Sequence, residues 1–197
     1  MAITSRQFEQ LQNRTRRSAV PVLAPTIPAR RHQVILGIDP SLRGTGFGIL
    51  VIEKPISRAL VCGTIRCPAT WERSRCLARI AEVLRDVIRQ HSPTVCAIEG
   101  LYFAQNIQTA LIMGEARGAS LVSAAEAGLE IYEVAPRKMK QAIVGYGAAQ
   151  KDAVAKMVQR MLNLAEIPDP DAADALALAL TYAQTNSSIQ TTSARRI

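Results

Sequence analysis

The sequence predicts an α/β fold in which a mixed five-stranded sheet, three antiparallel strands followed by two parallel ones, is flanked by helices. Two observations support this fold class. Apolar runs too short for helices end in turn residues. Longer segments between the later runs repeat apolar residues every three to four positions, as helices do when they bury one face. Hydrophobic residues make up 48% of 197 positions, which is enough to fill one core.

The first two strands lie in Val34 to Leu50, with the sequence VILGIDPSLRGTGFGIL. The first apolar run ends in Asp39, and a Pro-Ser-Leu-Arg-Gly turn leads to a second run, Phe47 to Ile52. We therefore expect a β-hairpin with Asp39 at its edge. Three glycines after the turn allow close approach of another backbone segment or of a phosphate. They are Gly44, Gly46 and Gly48.

A third strand is expected at Ala59 to Ile65, which completes an antiparallel meander. A helix follows over Trp71 to Gln90. The next strand, Val95 to Ile98, is wholly apolar, which is typical of a strand buried on both faces. This strand ends in Glu99, so a second carboxylate is placed at a strand end.

The second half of the chain alternates helices with one more strand. We expect a long helix over Asn106 to Ala127, in which Gly114 and Gly118 leave a smooth face for close packing. The remaining elements are a fifth strand at Ile131 to Val134, a short helix from Pro136, a helix from Lys151 through Asn163, and a last helix from Asp171.

These elements define one folded domain over residues 33–185, followed by a polar tail, 186–197, that is expected to be disordered. Residues 1–32 are rich in arginine and contain Pro21, Pro25 and Pro28, which predicts a flexible basic extension. Such an extension adds non-specific attraction to polyanions. Its arginine-rich, acid-poor composition is also similar to an organellar transit peptide, so that alternative stays open.

The net charge of +8 and a pI near 9.8 favour a polyanionic partner, nucleic acid before an acidic membrane surface. No apolar stretch is long enough to cross a bilayer, and no signal-peptide core is found at the N-terminus. We expect a cytoplasmic protein that has no membrane partner. The four cysteines form no C-x-x-C pair, which argues against a zinc site.

Asp171 and Asp174 are three positions apart at a helix start and therefore share one face. Acids in a first helical turn commonly cap free amides and interact with the helix dipole, and this explanation is sufficient for the pair alone. The small residues beside the pair, and the two carboxylates at strand ends, favour a different explanation, in which the acids bind a cation. Crowded carboxylates repel one another unless a cation neutralises them, and hard divalent cations such as Mg²⁺ do so.

Five motifs in order resemble the RuvC Holliday-junction resolvases of the RNase H-like superfamily. They are G-I-D-P before T-G-F-G, A-I-E before an aromatic and Ala-Gln-Asn, G-E-A-R-G, K-Q-x-x-V-G-x-G, and D-A-A-D-A-L-A-L-A. The resemblance covers most of residues 34–183. Two positions depart from it: Ser41 stands where glycine is usual, which predicts a tight turn, and Phe47 replaces a common tyrosine.

The resemblance implies an RNase H-like nuclease domain that nicks two strands of a four-way DNA junction symmetrically, in recombination and repair. The implied catalytic residues, which are also the ligands of two Mg²⁺ ions with Mn²⁺ as a substitute, are Asp39, Glu99, Asp171 and Asp174. The implied DNA-binding residues are Tyr102, Arg137, Lys140 and Lys151. The implied partners are a second copy of the chain and a branch-migration helicase complex of the RuvA and RuvB type.

Three alternatives remain at this point. The G-I-D-P hairpin is also similar to the phosphate-binding hairpin of actin-like ATPases and sugar kinases, although those enzymes need two such domains. A nuclease of the same fold that acts on RNA is the second alternative. The third is a junction-binding protein without catalysis, which the self-repelling D-A-A-D pair disfavours.

Overall fold

The computed structural model describes residues 34–53, 57–101, 106–187 and 194–197. The strands in these ranges are Val34–Asp39 (β1), Gly44–Val51 (β2), Arg58–Arg66 (β3), Val95–Glu99 (β4), Glu130–Val134 (β5) and Ala194–Arg196 (β6). The helices are Arg73–His91 (α1), Ile107–Glu126 (α2), Pro136–Val144 (α3), Lys151–Leu162 (α4) and Pro170–Ser187 (α5). The predicted basic extension, 1–32, lies outside the described ranges.

The strands form one mixed sheet in the order β3-β2-β1-β4-β5-β6. The first three strands are antiparallel neighbours, and β1, β4 and β5 are parallel neighbours, as the sequence predicts. The predicted count of five strands is wrong, because β6 pairs antiparallel with β5. This sixth strand lies within the tail that was expected to be disordered, and α5 also extends into that tail as far as Ser187.

The two faces of the sheet bury different helices. Leu36 and Ile38 of β1 belong to a hydrophobic cluster with α1 and α2, whereas Ile35 belongs to a cluster with α3, α4 and α5. Side chains alternate along a strand, so Asp39 points to the same face as Ile35. The same alternation along β4 places Glu99 on the face of Val95 and Ala97, which belong to the cluster with α3, α4 and α5. Both strand-end carboxylates therefore face α3, α4 and α5.

Glycines on β1 and β2 allow α5 to lie directly on the sheet. A Cβ atom on Gly46 would be 1.9 Å from the carbonyl oxygen of Asp171, and one on Gly37 would be 1.9 Å from the carbonyl oxygen of Ala175. Both positions therefore require glycine. The close approach that the glycines were expected to permit is, in the structure, an approach of backbone to backbone. It fixes the height of Asp171 above the end of β1.

Helix α2 buries small residues and exposes large ones. Its buried positions are Ala116, Ser120, Ser123 and Ala124. Its exposed positions include Ile107 at 81%, Leu111 at 61% and Val122 at 50%. Added Cβ atoms on Gly114 and Gly118 would meet nothing within 4 Å, so the close packing expected of this smooth face does not occur within the described chain. Among the described helices, none is long and apolar enough to cross a membrane.

Candidate active site

Asp39 and Glu99 lie side by side at the ends of two parallel strands. The register pairs Ile38 of β1 with Ile98 of β4, so the following residues are neighbours. The two carboxyls are close enough for each to shift the pKa of the other. Asp39 is 9% exposed, which leaves little room for water between them. Two acids this close and this buried favour a state in which they share a proton.

The directions of the pKa shifts agree with a shared proton. Burial, the charge of Glu99 and the hydrogen bond to it raise the pKa of Asp39 from 3.8 to about 8. Burial also raises the pKa of Glu99, although the hydrogen bond from Asp39 acts in the opposite direction. A negative charge on both carboxyls at once is therefore unfavourable. A cation between these groups would replace the proton.

Asp171 and Asp174 approach the strand ends from α5. Asp171 lies in the first turn of this helix, and a Cβ atom on Gly44 would be 2.9 Å from its Oδ2 atom. The ammonium group of Lys151, at the start of α4, bridges the pair, with Nζ 3.0 Å from Asp171 Oδ1 and 3.5 Å from Asp174 Oδ2. A capping role agrees with the position of Asp171, but it does not explain Asp174, which is 5% exposed.

The charges of the two pairs act on each other. Burial and the charge of Asp39 raise the pKa of Asp174 from 3.8 to about 6, while Lys151 and Lys140 oppose the shift. Burial lowers the pKa of Lys151, but the hydrogen bond to Asp171 and the charges of Asp174 and Asp171 outweigh it, and the net pKa is raised. The four acids predicted from the sequence are thus brought into one electrostatically coupled group.

The donor set fits a hard divalent cation. All four side chains offer carboxylate oxygens, which Mg²⁺ prefers. Within the described ranges, Oδ1 of Asp174 is buried and has no hydrogen-bond partner, which is unfavourable unless a cation approaches it. As the side chains lie, no group of three or more described Asp, Glu, His or Cys residues is arranged to hold a metal ion. The ammonium of Lys151 offsets part of the negative charge of Asp171 and Asp174.

Comparison with known proteins identifies the family that carries this arrangement. The sequence model of "Crossover junction endodeoxyribonuclease RuvC" matches residues 35–182. The chain belongs to the RuvC family. The RuvC of Akkermansia muciniphila is 44% identical over 148 residues, which cover 75% of this chain and 89% of the relative. The RuvC of Heliobacterium modesticaldum is 44% identical over 151 residues, which cover 76% and 93%.

A solved RuvC structure has the same fold. The RuvC of T. thermophilus in complex with a Holliday junction substrate is 33% identical and superposes with a TM-score of 0.74. The match covers 84% of this chain and 100% of the other. The predicted RNase H-like fold and the resemblance to RuvC are confirmed. The metal dependence that the resemblance implies agrees with the carboxylate donor set described above.

The predicted DNA-binding residues of this RuvC family member differ in their relation to the acids. Lys140 is close enough to lower the pKa of Asp174 and of Glu99 by its charge, although burial raises both overall. Arg137 is exposed, and its side chain packs on Gly147, where an added Cβ atom would be 2.7 Å from its Cγ. Tyr102 lies outside the described residues, so its predicted stacking role stays a prediction.

The sequence did not predict a role for Arg117, which belongs to the G-E-A-R-G motif on α2. Its Nε atom donates to the backbone carbonyl oxygen of Glu99 at 3.2 Å, and its guanidinium also donates to Oε2 of Glu133 at 2.5 Å. The G-E-A-R-G motif was the sequence signal that could have pointed to this residue. The periodicity of hydrophobic residues describes one helix or strand at a time. It therefore gives no sign of a buried arginine on α2 that contacts β4 and β5.

The two departures from the RuvC pattern have little structural effect. Ser41 is exposed and is not among the described non-glycine residues with positive φ, so its side chain causes no strain in the turn. Its N–H donates to Oγ1 of Thr45 at 3.1 Å, and this hydroxyl donates to the carbonyl oxygen of Ser41 at 2.5 Å. Thr45 thus closes the turn. Phe47 is half-buried on β2, where its ring packs against Gly63.

Proposed function

We propose that this chain is a metal-dependent endonuclease that resolves Holliday junctions by nicking two strands symmetrically. Membership of the RuvC family supports the reaction class. The observation that carries the proposal is the convergence of Asp39, Glu99, Asp171 and Asp174 from two strand ends and one helix into a coupled group. A protein that only bound junctions would have no need to bury acids that repel one another.

The four carboxylates are the proposed ligands of two Mg²⁺ ions, for which Mn²⁺ can substitute. Ions held by these carboxylates would supply activation of the attacking water and stabilisation of the charge on the departing 3′ oxygen. For Asp39 to act as a ligand, its carboxyl must be deprotonated, which its burial beside Glu99 opposes. The burial of both groups also excludes bulk water, which strengthens the interactions of any charge that develops beside them.

Two lysines are proposed to hold the scissile phosphate. Lys140 and Lys151 both influence the acids electrostatically, so a phosphate held near the acids would lie near both ammonium groups. Lys151 is 54% exposed and has the length to turn from Asp171 towards a phosphate oxygen. Arg137 on α3 and Tyr102 are the proposed contacts further along the DNA. Such contacts read backbone and shape before sequence.

A second copy of this chain is the proposed partner of the exposed face of α2. Symmetric cleavage of two strands requires two sites related by a two-fold axis. Ile107, Leu111 and Val122 are exposed on α2, and Gly114 and Gly118 leave room for a close helix contact. Exposed apolar side chains that share one helix face are typical of an interface. The interface is therefore proposed to be isologous, with the α2 helices facing each other.

The proposal includes a branch-migration helicase complex of the RuvA and RuvB type as the partner that presents the junction. Its support is the family resemblance, and we assign it no docking surface. The proposed location is the bacterial cytoplasm. The strongly basic chain, at +8, is suited to the polyanionic substrate that such a complex delivers.

The test gives purified protein with Mg²⁺ a synthetic four-way junction, a linear duplex, an RNA–DNA hybrid and ATP in parallel. We expect paired nicks in the junction and little turnover of the other three substrates. Equal cutting of the linear duplex would remove the junction-specific proposal. Preferred cutting of the hybrid would favour an RNA nuclease, and hydrolysis of ATP would favour the ATPase alternative.

A further inference from the structure

Arg117 connects three secondary-structure elements at the site. It lies on α2, its Nε donates to the carbonyl oxygen of Glu99 on β4, and its guanidinium pairs with Glu133 on β5. The side chains of Arg117 and Glu133 are only 16% and 18% exposed. Surface ion pairs contribute little to the stability of a protein. A planar guanidinium that binds two partners in a mostly buried site, however, fixes the positions of those partners relative to each other.

The peptide group that follows Glu99 is held at both of its polar atoms. Arg117 binds its carbonyl oxygen at 3.2 Å. The N–H of the same peptide group, which belongs to Gly100, donates to the carbonyl oxygen of Val134 at 2.9 Å. Val134 follows Glu133 in β5. One short segment of β5 therefore binds the N–H of Gly100 directly and holds the carbonyl of Glu99 through the guanidinium of Arg117. Because a peptide group is planar, fixing both atoms restricts the backbone rotation that aims the Glu99 side chain.

Arg117 contacts the backbone of Glu99, and its own charge is balanced by Glu133. The cations that lower the pKa of Glu99, against the larger effect of burial, are Lys151 and Lys140. Arg117 and Glu99 also line one small recess beside the end of β1, together with Pro40, which follows Asp39. The arginine is thus placed to set where the carboxylate lies and not to bind the phosphate.

We infer that Arg117, anchored by Glu133, is a positioning residue that holds Glu99 in the orientation needed to bind metal beside Asp39. The inference rests on the proposed function, since it assigns Arg117 a role in metal binding by the same site. Partners that orient a metal ligand commonly contribute about 10- to 100-fold in metal affinity or activity. An Arg117→Lys variant keeps the charge but has no planar fork, so it should recover only part of the effect.

The test measures Mg²⁺ binding by calorimetry without DNA, and single-turnover junction cleavage as a function of Mg²⁺ concentration. For Arg117→Ala we expect Mg²⁺ affinity to fall about tenfold or more and the half-saturating Mg²⁺ concentration to rise in parallel. Junction affinity measured without metal should stay within about twofold, because the side chain is mostly buried and faces Glu99 and Glu133. Glu133→Gln should change Mg²⁺ binding in the same direction as Arg117→Ala.

Two further variants separate positioning from folding. Arg117→Leu combined with Glu133→Leu removes both charges, which avoids leaving one buried charge unpaired. This double variant should fold and still bind Mg²⁺ weakly. Arg85→Ala is the matched control, because it breaks an exposed ion pair of 2.8 Å between α1 and Glu126 of α2 and should leave both measurements unchanged.

The outcomes distinguish this inference from the proposed function. If the wild-type protein binds Mg²⁺ and cuts junctions while the folded double variant binds Mg²⁺ with wild-type affinity, the positioning role is wrong and the nuclease proposal stands. If the wild-type protein neither binds Mg²⁺ nor cuts, the proposed function fails first. If the Arg117 variants lose cleavage only in proportion to the fraction unfolded, Arg117 is structural and the inference is overturned.

Discussion

The Nζ atom of Lys151 lies 3.0 Å from Oδ1 of Asp171, although the two residues are 20 positions apart in the chain. The same ammonium group lies 3.5 Å from Oδ2 of Asp174. The lysine therefore offsets part of the negative charge of Asp171 and Asp174. A divalent cation that binds these oxygens must compete with it.

The first prediction concerns this competition. Lys151→Met should tighten Mg²⁺ binding about 1.4- to fivefold, which corresponds to the 0.2–1 kcal/mol typical of a partly exposed ion pair. The same change should slow cleavage, because the phosphate loses a proposed cationic contact. Calorimetry and single-turnover kinetics measure the two effects. Lys156→Met, at an exposed position of the same helix, is the control, and unchanged Mg²⁺ affinity in the Lys151 variant would contradict the competition.

The second prediction concerns pH. The folded protein holds the pKa of Asp39 at about 8 against 3.8, mainly because of burial, so between these values it binds more protons than the unfolded chain. The contribution of this group to stability is complete below the unfolded pKa and is lost as the pH rises through the folded pKa. The melting temperature of metal-free protein should therefore fall between about pH 5 and about pH 8.5.

Two controls accompany that measurement. Excess Mg²⁺ should restore stability most strongly at the alkaline end, because metal binding favours the deprotonated carboxylates. Asp39→Asn should flatten the profile, since it removes the titrating group. A metal-free melting temperature that rises over the same range would contradict the shared proton.

The third prediction separates binding from cutting. Asp39→Asn and Asp174→Asn should each lower the single-turnover cleavage rate by about a hundredfold or more, since losing a ligand should cost at least as much as losing a partner that orients one. Junction binding should persist, because phosphate contacts supply it. Electrophoretic mobility shifts and cleavage gels measure the two. Asp86→Asn, at an exposed position of α1, serves as the control, and normal cutting by either site variant would make the ligand assignment wrong.

The fourth prediction concerns the contact between β2 and α5. Gly46→Ala would place Cβ 1.9 Å from the carbonyl oxygen of Asp171, so helix or strand must move. We expect a loss of about 3 kcal/mol or more in unfolding free energy, together with loss of cleavage. Gly48→Ala is a graded comparison, because its Cβ would meet the side chain of Leu176 at 2.7 Å, which is movable. Chemical denaturation measures both, and equal stability of Gly46→Ala and wild type would refute the contact.

The fifth prediction concerns the proposed dimer. Leu111→Glu introduces a charge at a 61% exposed position of α2, so it should leave the fold intact and shift the protein to a monomer. Light scattering after size-exclusion chromatography measures the mass. Leu60→Glu, at a 38% exposed leucine on β3, is the control for adding a charge elsewhere. A wild-type protein that is monomeric at every concentration tested would remove the α2 interface.

Local patterns predicted the parts of the site that are determined locally. Asp39 and Glu99 each end an apolar run, and the pairing of Ile38 with Ile98 brings these ends together. Asp171 and Asp174 follow from helical spacing. The spacing of residues in the sequence does not show how far above the sheet Asp171 lies. The contact of Gly46 with the carbonyl group of Asp171 sets that distance.

Other features depend on tertiary partners and were missed. Strand β6 has only three residues, two of them exposed arginines, and its structure comes from pairing with β5. On α2, small residues such as Ala116 and Ser120 are the ones that pack against the domain, so Ile107 is left exposed. The contact of Arg117 with Glu133 joins separate elements.

The acidic group is divided between the early and the late parts of the chain. Asp39 and Glu99 belong to strands in the first half, whereas Asp171 and Asp174 belong to α5, the last helix that the described ranges contain. During translation, a ribosome-bound chain would present the strand-end acids long before the helix emerges. On the proposed mechanism such a nascent chain holds half of its metal ligands, so DNA-cutting capacity arises only after α5 has emerged from the ribosome.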